Sequence, residues 1–175
     1  MNQLTRPVTL LVLTLLVGGV CPLWAQEEDS TTVRVFVFAG QSNMVGSDSK
    51  VADIHRFPPF AGLEAPQAGV RFSYCLGREK KTTSDGWVDL QPVNNVVGPE
   101  LSFAREVTRN TQAPIAIIKV AAGGTHLGGD WNPDEPIGFK MYPLALGWIH
   151  DALADLDRQG VKYRLEGFMW HQGEN

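Results

Sequence analysis

Three stretches of the chain are largely apolar, and each ends in a glycine-containing or polar turn. Residues 33–38 read Val-Arg-Val-Phe-Val-Phe, residues 114–120 read Pro-Ile-Ala-Ile-Ile-Lys-Val, and the third stretch is residues 165–170. Short runs rich in β-branched and aromatic residues predict strands. Because apolar residues occupy nearly every position, we expect burial on both faces, as in a parallel sheet.

Two segments between these strands show helical spacing. Residues 99–110 open with a proline, which suits the first helical position, and place Leu101, Ala104 and Val107 on one side. Residues 143–158 carry a similar apolar stripe, and Gly160 follows as a stop signal. Strands that alternate with helices predict an α/β domain with a parallel sheet.

The segment between residues 45 and 97 shows little regular pattern. The prolines of residues 57–60 exclude a regular helix or a central strand there. Short strands are predicted at residues 70–74 and 87–90. A connection this long inside one domain is typical of a binding surface.

The first 25 residues are typical of a signal peptide, with Arg6 ahead of an apolar run from Val8 to Val20. The alternative is a membrane anchor, but the run is short for a membrane span. We therefore expect a secreted or periplasmic protein without stable membrane association after cleavage. A polar leader would cover residues 26–32, and one domain would cover residues 33–175.

Composition narrows the classes of partner. Hydrophobic residues make up 43% of the chain and charged residues 19%, a globular balance, and the net charge is −4. No basic run is present, so nucleic acid is not an expected partner. Cys75 is the only cysteine after the predicted signal peptide, and a packed thiol is favoured over a reactive one.

The candidate chemistry lies at the ends of the predicted strands, where α/β sheets bind ligands. Ser42 leaves the first strand through the turn at Gly40, which suits an exposed nucleophile of an acyl-transfer enzyme. A turn serine that bonds its own backbone has the same local pattern. The motifs at the other strand ends are needed to choose between these two interpretations of Ser42.

Four motifs, in order along residues 33–175, together resemble the sialate O-acetylesterase-like carbohydrate esterases. This family includes acetylxylan esterases and belongs to the wider SGNH hydrolase group. The motifs are Gly40-Gln41-Ser42-Asn43-Met44, Gly98-Pro99-Glu100-Leu101-Ser102-Phe103-Ala104, Gly123-Gly124-Thr125 with Trp131, and Trp170-His171-Gln172-Gly173-Glu174.

The resemblance implies a fold, a reaction and a set of roles. The fold would be a three-layer α/β/α sandwich with a parallel, flavodoxin-like sheet, and neither a metal nor an organic cofactor is expected. Ser42 would be the nucleophile, and the N–H of Ser42, the N–H of Gly98 and the amide of Gln172 would form the oxyanion hole. An acetylated carbohydrate would be the partner. The residues assigned to its binding are Gln41, Asn43, Gly124, Thr125, His126, Trp131 and Glu174.

Several of these assignments have structural alternatives. His126 either contacts substrate or bonds within its loop, and a relocated general base is the less favoured interpretation. Trp131, like Trp87 and Asn132, either lines a sugar site or packs a loop. Glu174 is expected to be a buried residue that orients loops by hydrogen bonding rather than an acid catalyst.

One element of the family pattern is missing from the chain. The family's base histidine, with an aspartate three residues before it, lies downstream of the Gln-Gly-Glu motif, and no Asp-x-x-His occurs in this sequence. We therefore expect a domain that is incomplete at its C-terminus, a truncated piece of a secreted serine esterase, with its activity crippled by loss of that pair. An open sheet edge is also expected to make it poorly soluble.

Two other functions stay open on the sequence. A non-catalytic carbohydrate-binding protein would retain the acetyl pocket without a base. A lipid or aryl esterase would share the mechanism, but the loops lack an extended apolar surface for acyl chains.

Overall fold

The structure is a computed structural model that describes residues 30–174. The predicted signal peptide and most of the polar leader lie outside the described residues. The strands are β1 (Val33–Gly40), β2 (Gln67–Leu76), β3 (Thr82–Thr83), β4 (Val88–Leu90), β5 (Ile115–Ala121) and β6 (Tyr163–His171). The helices are α1 (Ser42–Val45), α2 (Pro99–Asn110) and α3 (Met141–Arg158), with 3-10 helices at Val51–Arg56 and Pro58–Phe60.

The sheet is mixed, which corrects the prediction of a wholly parallel one. Its order is β3-β2-β5-β1-β6, and the β2–β5, β5–β1 and β1–β6 pairs are parallel. The short strands β3 and β4 pair antiparallel with β2. β3 follows β2 after a few residues, and so short a connection permits only an antiparallel neighbour.

The two long helices cover opposite faces of the central strands, because successive side chains of a strand alternate between faces. Phe36 and Phe38 of β1 pack against Phe103 of α2 with edge-to-face rings at 4.8 and 5.2 Å. On the other face, Val33, Val35 and Val37 share a buried cluster with Ala152 and Leu156 of α3. The alternation therefore places β1 in the middle of the core.

The third apolar stretch forms a strand as predicted, but its burial was predicted wrongly. Among the described residues β6 pairs only with β1, so it lies at one edge of the sheet. Its large apolar side chains are exposed: Leu165, Phe168, Met169 and Trp170. Pattern alone does not report whether a neighbour covers a strand.

The irregular segment 45–97 contains the two 3-10 helices and three strands of the sheet. The helix predicted at residues 143–158 begins two residues earlier, at Met141, and α2 has the predicted bounds. Across residues 30–174, none of the helices has the length and apolar character needed to cross a membrane.

Candidate active site

Ser42 lies where β1 leaves the sheet. It is the first residue of α1 and is half-buried. Gly40 precedes it with φ +153°, and a side-chain carbon there would collide with the carbonyl oxygen of His171. The backbone N–H of Gln41 donates to that same carbonyl at 3.0 Å. Only glycine permits so close an approach of the two backbones, so the turn before Ser42 is held against the end of β6.

The end of β5 lies on the other side of the same turn. Ala122 N–H donates to the carbonyl of Gly40 at 3.1 Å. Gly123 faces the serine so closely that a side-chain carbon built on it would lie 3.4 Å from Ser42 Cβ. A side-chain carbon at position 123 would therefore touch Ser42 at ordinary van der Waals distance, which places the β5 exit next to the candidate nucleophile.

Gln172 is anchored to the loop that follows β5. Its Nε2 donates to the carbonyl of Thr125 at 2.9 Å. Its Oε1 is buried and has no hydrogen-bond partner among the described residues. A side-chain amide carries two N–H hydrogens, so the bond to Thr125 leaves one for another acceptor. The contact ties the β6 exit to the β5 exit.

Gly98 is brought beside the serine turn by a second glycine contact. Gly98 is the N-cap of α2, and Gly46, with φ +88°, is the C-cap of α1. A side-chain carbon on Gly46 would lie 2.7 Å from the carbonyl oxygen of Val97 and 2.8 Å from Gly98 Cα. The backbones of the two segments are therefore in direct contact. The N–H groups of Ser42 and Gly98 are among those that a helix start leaves without an intrahelical partner.

Glu174 bonds to residues of both turns. Its Oε1 accepts from Asn43 Nδ2 at 2.5 Å and lies 3.5 Å from His171 Nε2. The Asn43 hydrogen bond is the main cause that lowers the pKa of Glu174 below its ordinary value, against the opposing effect of burial. A backbone hydrogen bond, a bond from Gln41 and the charge of His171 add smaller lowering effects. The expected hydrogen-bonding role fits this geometry. The expectation that Glu174 is buried is wrong, because its side chain is 37% exposed at the surface.

The residues predicted on the β5 loop divide into buried and exposed groups. The Thr125 hydroxyl is buried, donates to the carbonyl of Ala122 at 2.9 Å and accepts from Trp131 Nε1 at 3.1 Å. Trp131 is 5% exposed and packs edge-to-face on Trp170. These contacts favour the loop-packing interpretation of Trp131.

Gly124 and His126 lie exposed on the same loop. The backbone N–H of His126 donates to Asp130 at 2.7 Å, so the loop shape around His126 depends on that buried carboxylate. Trp87, another candidate sugar residue, donates from Nε1 to the carbonyl of Ala152 at 3.3 Å. Trp87 therefore packs on α3.

A cavity of about 550 Å³ opens beside Asn43, Gly98 and His171. Most of its remaining lining comes from the irregular segment 45–97, and none of those residues was predicted to belong to the site. They include Lys50, Asp53, Ile54, Arg56, Phe57 and Phe60. The one signal that pointed to them was the length of the segment itself.

Two exposed aromatic rings border this cavity. Phe57 and Phe60 are 51% and 45% exposed, which is unusual for phenylalanine in a folded domain. Arg56 lies 5.8 Å from the Phe57 ring centroid and 3.3 Å from Asp53. The wall thus combines apolar ring faces with paired charges.

The described residues offer no group of three His, Cys, Asp or Glu side chains arranged to hold a metal ion. His150 is exposed on α3, and its Nδ1 lies 3.6 Å from Asp151 Oδ1.

Ser42 therefore follows a glycine turn at the carboxyl end of a central strand. The ends of β5 and β6 contact this turn, and the start of α2 contacts the end of α1 at Gly46. This is the ligand-binding edge of an α/β protein, and the hydroxyl beside backbone N–H groups is typical of acyl-transfer enzymes. A family model described as carbohydrate esterase, sialic acid-specific acetylesterase, matches residues 32–175. The chain belongs to this carbohydrate esterase family, as the sequence motifs predicted.

Solved structures show a similar fold at low sequence identity. A protein from Arabidopsis thaliana is 20% identical with a TM-score of 0.52, and the match covers 81% of this chain and 57% of that chain. NanS is 18% identical with a TM-score of 0.53, over 83% of this chain and 55% of that chain. The chain thus spans a little over half the length of these two proteins.

A carbohydrate acetylesterase from Xanthomonas citri is also similar, with 20% identity and a TM-score of 0.45 over 81% of this chain and 32% of that chain. No curated protein sequence matches the chain.

Proposed function

We propose that this protein removes O-acetyl groups from carbohydrates through an acetyl-enzyme on Ser42. The observation that carries the proposal is the position of Ser42, held by Gly40 against the β6 exit and faced by Gly123 of the β5 exit. The Gly98 segment and the Gln172 loop are both bonded or packed to these same turns. Family membership supports the same reaction class.

In the proposed reaction, Ser42 Oγ attacks the acetyl carbonyl carbon and loses its proton to a base. The negative charge on the carbonyl oxygen is held by the N–H groups of Ser42 and Gly98 and by the second N–H of the Gln172 amide. The C–O bond to the sugar breaks, and the sugar hydroxyl leaves with a proton. Water then attacks the acetyl-enzyme, releasing acetate and restoring the serine. One oxyanion donor contributes about 3 kcal/mol to lowering the barrier.

The cavity beside Asn43 and Gly98 is the proposed place of the sugar. Its volume is within the range of small-molecule sites. The exposed rings of Phe57 and Phe60 offer flat apolar faces to the C–H faces of a pyranose, while Lys50 and Asp53 offer hydrogen-bonding groups for its hydroxyls. Ser42 adjoins this lining through Asn43, so the proposal requires the ester of a bound sugar to extend past Asn43 and Gly98 to the serine.

The proposal includes the wider features inferred from the sequence. The proposed fold is the three-layer, flavodoxin-like SGNH sandwich. Residues 1–25 would direct the protein to secretion or to the periplasm, where acetylated polysaccharides and glycans are accessible. The reaction requires no cofactor, because the nucleophile and the oxyanion donors all come from the polypeptide.

The chain itself supplies no Asp-x-x-His sequence. A serine hydroxyl without a general base is a weak nucleophile at neutral pH, although an oxyanion hole alone leaves residual catalysis. We therefore expect slow turnover by this polypeptide that rises when imidazole is added as an external base. A Ser42→Ala variant corrects for imidazole's own reaction with the ester.

The experiment compares hydrolysis of p-nitrophenyl acetate and of an acetylated xylo-oligosaccharide by wild type, Ser42→Ala and Ser47→Ala. Ser47 is the matched control, because it lies just beyond the end of α1, where its backbone N–H donates to the carbonyl of Ser42 at 3.1 Å. We expect activity in wild type and Ser47→Ala, loss in Ser42→Ala, and one added acetyl group on the Ser42 peptide by mass spectrometry. Equal rates in all three proteins, with retained sugar binding, would instead identify a carbohydrate-binding protein.

A further inference from the structure

A buried ion pair lies directly beneath the Gly98 segment. Lys119 of β5 and Glu100 of α2 are 1% and 3% exposed, and Nζ lies 2.5 Å from Oε2. Burial lowers the pKa of Lys119, while the charge and the hydrogen bond of Glu100 raise it. A buried pair of this kind contributes little to stability compared with well-packed apolar residues of the same volume. Its occurrence in a strand with seven buried residues therefore calls for another reason.

The pair contacts both segments that carry the proposed oxyanion donors. A side-chain carbon on Gly98 would collide with the Glu100 carboxylate and with Lys119 Nζ, so the charged atoms lie against Gly98 Cα. The Lys119 ammonium also donates to the carbonyl oxygen of Val45 at 3.3 Å. Val45 is the last residue of α1, the helix that begins at Ser42.

These contacts make a short rigid link. Lys119 is fixed in the middle of the sheet, Glu100 in the first turn of α2, and Val45 at the end of α1. Charge-assisted hydrogen bonds are short and directional, so they hold backbone segments more firmly than apolar contacts do. The link therefore connects the Gly98 segment to the end of the helix that begins at Ser42.

We propose that Lys119 and Glu100 are positioning residues that fix the Gly98 N–H relative to Ser42 for the developing oxyanion. The inference rests on the proposed esterase function. It assigns no contact with substrate to either side chain. If the pair has this role, it stabilises the transition state, in which the acetyl carbonyl oxygen becomes charged, more than it stabilises bound substrate.

The test compares wild type with Lys119→Met, Glu100→Gln and the apolar double variant Lys119→Met with Glu100→Leu. A displacement of about 1 Å costs on the order of 100-fold in rate, so we expect kcat and kcat/KM to fall together by about that factor, with KM unchanged. The double variant is decisive, because an apolar replacement of a buried pair usually keeps the fold.

Leu156→Ala is the control for destabilisation alone. Leu156 is fully buried on α3, on the face of the sheet away from α2. It should lower stability and leave kcat unchanged at a temperature where the protein stays folded. A folded double variant with wild-type kcat would overturn the proposal. Failure of all three pair variants to fold would overturn it too, since the pair would then serve the fold rather than the donor geometry.

The experiments distinguish failure of the positioning role from failure of the proposed esterase function. If wild type shows no hydrolysis that depends on Ser42, the esterase proposal fails. The backbone amide resonances of Gly98 and Ser42 in ¹⁵N-labelled protein still report the link, and they should shift in the double variant but not in Leu156→Ala. If Ser42-dependent hydrolysis is present and the variants retain it, only the positioning role fails.

Discussion

Replacing Gly46 by alanine tests whether the contact between α1 and the Gly98 segment is as close as the structure places it. Two costs add at this position. The left-handed φ of +88° costs a non-glycine residue about 1–2 kcal/mol. The new methyl would also lie 2.7 Å from the Val97 carbonyl and 2.8 Å from Gly98 Cα, and forced packing of that kind costs about 1–3 kcal/mol.

Gly69 supplies a matched control within the same chain. Its φ is +87°, and a side-chain carbon there would meet nothing within 4 Å. Gly69→Ala therefore measures the backbone strain by itself, about 1–2 kcal/mol. Gly46→Ala should lose about 2–5 kcal/mol, the sum of strain and collision. Urea unfolding of both variants, with equal m-values, gives the difference directly.

The same pair of variants has a kinetic readout. Because the methyl pushes Gly98 away from α1, Gly46→Ala should lower kcat for p-nitrophenyl acetate by about 100-fold, whereas Gly69→Ala should keep the wild-type kcat. Equal unfolding free energies for the two variants, together with equal kcat, would refute the close contact and the donor geometry derived from it.

Three further predictions concern other parts of the molecule. Burial raises the pKa of the Cys75 thiol, against a smaller opposing effect of Lys81, so a thiol reagent at pH 7 should modify Cys75 only as the protein unfolds. Hydrogen bonds from Arg34 and then Arg164 hold the pKa of Glu166 below its ordinary value of 4.5. The stabilisation that these bonds provide should therefore be lost as pH falls through that lowered pKa. In an acid titration, the unfolding free energy of Glu166→Gln should fall less steeply than that of wild type. Phe168 is 62% exposed on the edge strand β6, so Phe168→Lys should reduce self-association measured by light scattering, whereas Ile137→Lys, on an exposed loop, should not.

The sequence predicted the elements better than their environment. Proline at position 99 and the apolar spacing of residues 101–107 located α2 to the residue, because helix starts and stripes are local signals. The strand at residues 87–90 was predicted, but its antiparallel pairing with β2 was not, and the two residues of β3 are too few to show a pattern. The exposure of β6 was missed because burial depends on which segments pack nearby, and periodicity does not encode that.

In the candidate site, too, the local motifs were predicted and the surrounding contacts were not. The strand-end motifs predicted which turns meet, and the contacts of Gly40, Gly123 and Gln172 place those turns together. The cavity wall at Phe57 and Phe60 was not predicted, because it is formed by loop residues whose arrangement depends on distant contacts. One such contact is Arg105 of α2, which donates to the carbonyls of Pro59 and Ala61 at 2.6 and 3.1 Å.

The geometry also gives a physical reason for three glycines in the segments around Ser42. Gly40 is required because the His171 carbonyl of the neighbouring strand β6 occupies the space of a side chain there, and Gly46 because α1 ends against the start of α2. Gly98 is required in turn because the Lys119–Glu100 pair occupies the space of its side chain. Each glycine therefore removes a side chain at a point where one segment bearing a candidate oxyanion donor touches its neighbour. We therefore expect substitution of any one of these three glycines to impair the site, although none of them offers a side chain to the substrate.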